Sequence, residues 1–179
     1  GDLPLRIKMK ALSCILALAT WVANAAVLPD KDAQVVVAQA TAYRDAAAKG
    51  DADKFLQLTH PAVFTLFGGK EPFEAATRLA LKSLAGSNVI EKATFGVPAE
   101  LHVAGQEEIC FVPFVQVARA GDIRIRVESF FIAVRSVGKA DWKFIDAAGL
   151  RKQPEVLRQL FPGLPEKVVT PPNKVEIVK

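Results

Sequence analysis

The chain has few of the side chains that most often carry chemistry. Its 179 residues hold two cysteines, two histidines, one tyrosine, one methionine and two tryptophans. Cys14 sits in an apolar stretch near the start, and the residues before it, Ala11-Leu12-Ser13, make a poor lipidation signal, so lipidation is not expected. That leaves Cys110 alone, so a disulfide framework is excluded. In its alternating apolar setting Cys110 reads as a small buried hydrophobe rather than a nucleophile. Two histidines and one remaining thiol give no metal-ligand cluster, and neither a metal nor another cofactor is expected. Gly68-Gly69-Lys70 lacks the spacing of a phosphate-binding loop, and there is no nucleophile-elbow serine. Charge of one sign is scarce as well: 23 basic and 19 acidic residues leave +4, without the clustered basic face of a nucleic-acid-binding protein. No internal repeat or low-complexity tract occurs.

Apolar residues are plentiful. They make up 51% of the chain against 23% charged, enough for a core and too many for disorder. The length suits one domain with a tail.

Residues 1–25 read as a secretory signal peptide. Arg6, Lys8 and Lys10 form a basic start, Ala11 to Val22 is nearly uninterrupted apolar sequence, and Ala23-Asn24-Ala25 puts small residues at both positions a signal peptidase reads. Cleavage is expected before Ala26. Met9-Lys10 is a natural-looking start, which would place Gly1 to Lys8 outside the working protein. Asn24 and Asp30-Lys31-Asp32 arrive too early for the roughly 20 apolar residues of a membrane span, so no stable span is expected after cleavage. The segment carries three basic residues and one acidic, so its loss takes the net charge from +4 to +2. The expected location is exported, periplasmic or secreted.

In the remainder, helices come first. Val36, Ala40, Tyr43 and Ala47 recur at helical spacing over Asp32 to Lys49, and Gly50 ends the run. Asp51 suits the N-cap of a short helix, Lys54 to Leu58, with Phe55, Leu56 and Leu58 facing inward. His60-Pro61 breaks the pattern, and Ala62 to Phe67 reads as a strand closed by Gly68-Gly69. Glu71-Pro72 opens a third helix with Phe73, Ala76, Leu79, Ala80 and Leu84 as its apolar stripe. Strands then follow at Val89 to Val97, Glu100 to Ala104, Glu107 to Ala118, Ile123 to Val137 and Trp142 to Asp146, an antiparallel series. Ile109 to Val117 is apolar on both alternating faces, which calls for cover on both sides and predicts a homodimer through the sheet. Pro113 predicts a bulge. Gln153 to Leu160 reads as a last helix closing a domain over 26–160. The stretch 161–179 is a proline-rich extended tail in which Val175 to Val178 could join a sheet edge.

Tyr43-Arg44, Lys49-Gly50-Asp51 with Phe55, Leu58-Thr59-His60-Pro61, Gly68-Gly69-Lys70-Glu71 and Trp142-Lys143-Phe144-Ile145-Asp146, in that order, resemble the nuclear transport factor 2-like superfamily, also called the cystatin-like α+β cone. The resemblance spans about Asp32 to Leu150. It implies an α+β class in which N-terminal helices pack on a strongly curved antiparallel sheet around a conical pocket. That superfamily includes isomerases, dehydratases, cyclases and many non-catalytic binding or accessory domains, so the fold alone assigns no chemistry.

Three residues are candidates for acid-base catalysis. His60 titrates near neutrality, Asp146 is a carboxylate whose pKa burial would raise, and Tyr43 is the only tyrosine. Each has a structural alternative: His60 as a helix cap, Tyr43 on the apolar stripe, Asp146 at a strand end. Asp45 lies about 200° around the helix from Tyr43. His102, alternating with Leu101 and Val103, is expected to face solvent or a partner. Arg124, Arg126 and Glu128 share one strand face and suggest cross-strand ion pairs rather than an anion site. Phe64, Phe73, Phe114, Phe130 and Trp142 are the expected ligand-binding aromatics. The leading expectation is a non-catalytic exported domain that binds a small apolar or amphipathic molecule, or a protein partner, through the cone and dimerises by its sheet. The alternatives are an isomerase or dehydratase, or an accessory domain that docks through the tail and sheet.

Overall fold

The computed structural model describes residues 25–85 and 89–178, so nearly all of the expected signal peptide lies outside the described residues. The class is α+β, as expected: helices pack with a seven-stranded antiparallel sheet that does not close. No described helix is long and apolar enough to cross a membrane.

Helix α1 runs Asp30–Lys49, with Asp30 and Asp32 at its positive end and Lys49 at its negative end. Ala33, Val36, Ala40 and Tyr43, spaced three and four apart, bury one face. Gly50 stops it, donating its N–H to the carbonyls of Ala46 and Ala47. Asp51 then caps α2 (Ala52–Leu58) by accepting the Lys54 N–H at 3.0 Å. The expected strand at Ala62 to Phe67 is instead a 3-10 helix, Pro61–Phe67. Pro61 occupies its first turn and the His60 ring caps it, a start signal that outweighs the strand-like alternation of Val63, Thr65 and Phe67. Helix α3 (Lys70–Leu84) follows, and its packing neighbours are that 3-10 helix, α2 and α1.

The sheet is organised by one long hairpin. Strands β4 (Glu107–Ala120) and β5 (Ile123–Ser136) pair without a register shift, joined by Gly121-Asp122, where Gly121 takes the positive φ a two-residue turn needs. Each edge of this ribbon carries two shorter strands. β3 (Glu100–Ala104) and β2 (Val89–Phe95) take successive stretches of β4, while β6 (Lys143–Asp146) and β7 (Lys174–Val178) do the same on β5. β1 (Ala26–Val27) pairs with β3. β7 realises the sheet-edge role expected for Val175 to Val178.

Pro113 makes no bulge in β4, which stays in register with β5 at Phe130. Its carbonyl accepts the Gly96 N–H at 2.7 Å, so its nitrogen points to that same edge, at the handover between β3 and β2 where no ladder donor is lost. Gly96 is required there, since a Cβ would sit 2.8 Å from the Pro113 ring. The irregularity falls in β2 instead, at Glu91 between Ile90 and Lys92.

Two cores flank the ribbon. On the α1 side, Val36, Tyr43, Cys110, Val112, Phe131, Ala133, Trp142 and Phe144 form one. On the other, Ile109, Phe111, Phe130, Ile132, Val134 and Ile145 pack with Phe161 and Leu164. Residues of the expected proline-rich extended tail thus cover the second apolar face, aided by α4 (Val156–Leu160), so a partner copy is not needed to bury it. Arg135 ties the α1 side together, bonding Asp32 at 2.8 Å and Glu108 at 2.7 Å with its guanidinium over Trp142.

Candidate functional site

α3 roofs an open volume. Its apolar positions Leu79 and Leu84 remain exposed, and only Phe73 and Leu81 are buried. Beneath it lies a cavity of about 580 Å³ bounded by the Pro61–Phe67 helix, α3, α4 and the end of β6. Val63, Phe67, Phe73 and Leu81 supply apolar wall; Thr59, Thr77, Gln153 and Gln159 supply uncharged polar groups. A second cavity of about 440 Å³ opens towards β7, walled by Phe114, Gln116, Ile125, Val127, Phe131 and Val175. The two chambers share Tyr43, Phe55, Leu81 and Asp146.

Tyr43 is fixed at this junction by α1 and by aromatic neighbours. Its ring stacks on Phe55 at 4.4 Å and meets Phe131 at 5.1 Å and Phe144 at 5.4 Å. Burial foremost, and then the charge of Asp146, hold its hydroxyl well above the usual tyrosine range, against a hydrogen bond with Thr59. Asp146 ends β6, and its Oδ1 accepts the Ala148 N–H at 2.8 Å, capping the 3-10 turn Ala147–Leu150. By surface area the residue is exposed, and its exposed surface lines both chambers. Desolvation by the surrounding chamber walls raises its pKa above the ordinary aspartate value, although the Ala148 N–H and the nearby Arg151 oppose the shift.

The other candidate residues fall elsewhere. His60 lies outside both chamber walls: its Nδ1 accepts the Ala62 N–H at 3.2 Å, its Nε2 pairs with Glu107 at 3.0 Å, and its ring rests on Phe161. Burial lowers its pKa, with Glu107 opposing. Among the expected ligand-binding aromatics, Phe73 lines the first chamber and Phe114 the second. Phe64 packs on Phe73 from the outer side of the 3-10 helix, while Phe130 and Trp142 are in the solid cores. His102 does not face solvent; it is 3% exposed against Phe111, and burial lowers its pKa. Both β3 faces are covered, Leu101 by the α1-side core and His102 by the tail, which defeats the alternation rule. Asp45 bonds Arg44, and Arg124 and Arg126 pair with Glu91 and Glu128. Cys110 is buried, its thiol pushed up to about 12. Among the described residues no group of three His, Cys, Asp or Glu is placed to hold a metal.

Thr59, Thr77, Gln153, Gln159 and Arg151 were not anticipated as wall residues. Nothing in the local sequence of Thr77, Gln153, Gln159 and Arg151 sets them apart from ordinary surface positions, whereas Thr59 belongs to the Leu58-Thr59-His60-Pro61 stretch and is buried.

In comparisons with known proteins, the chain matched no protein-family model, no curated protein and no solved structure.

Proposed function

We propose that this is an exported domain that binds a small apolar or amphipathic molecule in the paired chambers under α3, in the manner of a nuclear transport factor 2-like cone. The observation that carries the reading is the pair of chambers, largely apolar and with a few convergent polar groups where they meet. Cleavage before Ala26 would leave β1 whole as the new terminus. Homodimerisation through the sheet would have to use exposed residues such as Ile123 and Ile177, not the covered centre. The test is to recover the protein from its native host, analyse it for co-purified small molecules, and screen it by thermal shift against a metabolite library. A bound molecule or a saturable shift supports the reading; neither would overturn it.

A second reading rests on Tyr43 and Asp146 sharing one wall. A carboxyl held above its usual pKa can exchange a proton closer to neutral pH, as an isomerase or dehydratase needs, and Tyr43 can orient the substrate. His60 has no part in it. Incorporation of solvent deuterium into a carbonyl substrate, lost in Asp146→Asn, would favour this reading; no exchange with any bound ligand would remove it.

A further inference from the structure

Arg151 differs from the other arginines on the chamber walls and sheet. Arg44 bonds Asp45, Arg119 and Arg124 pair with Glu91 across the sheet, and Arg126 pairs with Glu128 on its own strand. Arg151 lines the second chamber beside Asp146, and no carboxylate comes within 4 Å of it among the described residues. Its one side-chain bond runs from Nε to the Asn173 Oδ1 at 3.2 Å, which leaves both terminal nitrogens unused. Asn173 is itself anchored: its Nδ2 donates to the Ala147 carbonyl at 2.6 Å, and its Oδ1 also accepts the Ser129 hydroxyl at 3.1 Å. Ser129 is buried, so the guanidinium is held by a fixed point of the tail.

We infer that Arg151 is the head-group seat of the chambers and that the ligand is a single-chain amphiphile with an anionic head, a carboxylate on an alkyl chain. The free guanidinium nitrogens meet the carboxylate. The chain then lies along Leu81, Ile125, Val127 and Phe131 and passes Tyr43 towards the first chamber. Asp146 also lines the second chamber, and the upward shift of its pKa lessens its repulsion of a carboxylate head seated on Arg151. Exposed Leu84 and Ile177 near the β7 side suit a ligand that arrives apolar end first.

This inference rests on the proposed ligand-binding reading, and one titration series separates the two. Full-length protein is titrated with dodecanoate, dodecanol and dodecyltrimethylammonium below their micelle concentrations, following displacement of Nile red. Dodecanoate is expected to bind best, and shorter carboxylates to weaken by about four-fold per methylene removed. Arg151→Gln should weaken dodecanoate about ten-fold, the size of one charge-assisted hydrogen bond, and leave dodecanol unchanged. Arg151→Lys should restore most of the difference. Equal binding of all three amphiphiles, or no effect of Arg151→Gln, overturns the head-group seat while the chambers remain binding sites. Failure of Nile red and every amphiphile to bind overturns both.

Discussion

At one end of the β4–β5 hairpin, around Cys110, Val112, Ala133 and Val134, side chains are sealed on both faces, by α1 on one and by Phe161 and Leu164 on the other. At the opposite end, from Phe114 to Ala118 and Ile125 to Val127, the same ribbon and the same alternating pattern face an open chamber on the helix side and ion pairs on the other. The difference arises above the sheet. α1 lays Val36 and Ala40 on the sealed end and reaches the chamber junction only with Tyr43, whereas α3 packs on other helices and leaves a gap beneath it. Apolar patterning thus tells which face avoids water but not whether a neighbour fills the space in front of it.

Truncation gives the largest contrast. Trp142→Ala, at a fully buried position in the sealed end, should cost about 3–5 kcal/mol in urea unfolding. Phe67→Ala, 47% exposed on the first chamber, should cost less than about 1 kcal/mol. Similar losses would break the comparison. Enlargement should invert the outcome at comparable residues: Ala133→Phe overpacks a filled core and should cost about 1–3 kcal/mol or more, while Ala80→Phe projects into the first chamber and should change stability by about 0.5 kcal/mol or less.

Acid should act through the sealed end. His60 and His102 both have folded pKa values lowered by burial, so each contributes stability that is complete above the unfolded value of about 6.5 and is lost as pH falls through the folded value. The melting temperature should therefore drop between pH 7.5 and 5.5, and His102→Leu should make the drop smaller. An unchanged drop would remove His102 from the account. Asp146, in the hollow end, has the opposite sign. Its raised pKa means the folded state holds the proton more tightly, so stability is lost as pH rises through the folded value. Asp146→Asn, which can still cap the Ala147–Leu150 turn, should give a small rise in melting temperature at pH 7.5 and none at pH values below that of a free aspartate.

Much of the element order was legible because it rests on local signals. The spacing of Val36, Ala40 and Tyr43, the Gly50-Asp51 stop and restart, and the turns at Gly105 and Gly121 each act within a few residues. The 3-10 helix was missed because alternation and a helical start signal overlap in seven residues. The site was legible only in part. Tyr43, Asp146, Phe73 and Phe114 reached the chambers, but Phe130 and Trp142 are equally aromatic and went to the solid end. What separates them is which helix stands over each, and that depends on the long-range placement of α3 and the tail. Arg151 was invisible for the same reason, since its lack of a carboxylate partner is a property of the assembled surface.

The central claim is that the space beneath α3 is a binding chamber and not a packing defect. The most direct measurement is a Nile red titration of the full-length protein beside its Ala80→Phe variant, with unchanged folding confirmed by circular dichroism. The account predicts saturable binding to the unaltered protein and at least ten-fold weaker binding to the variant; binding of equal strength to both would contradict it.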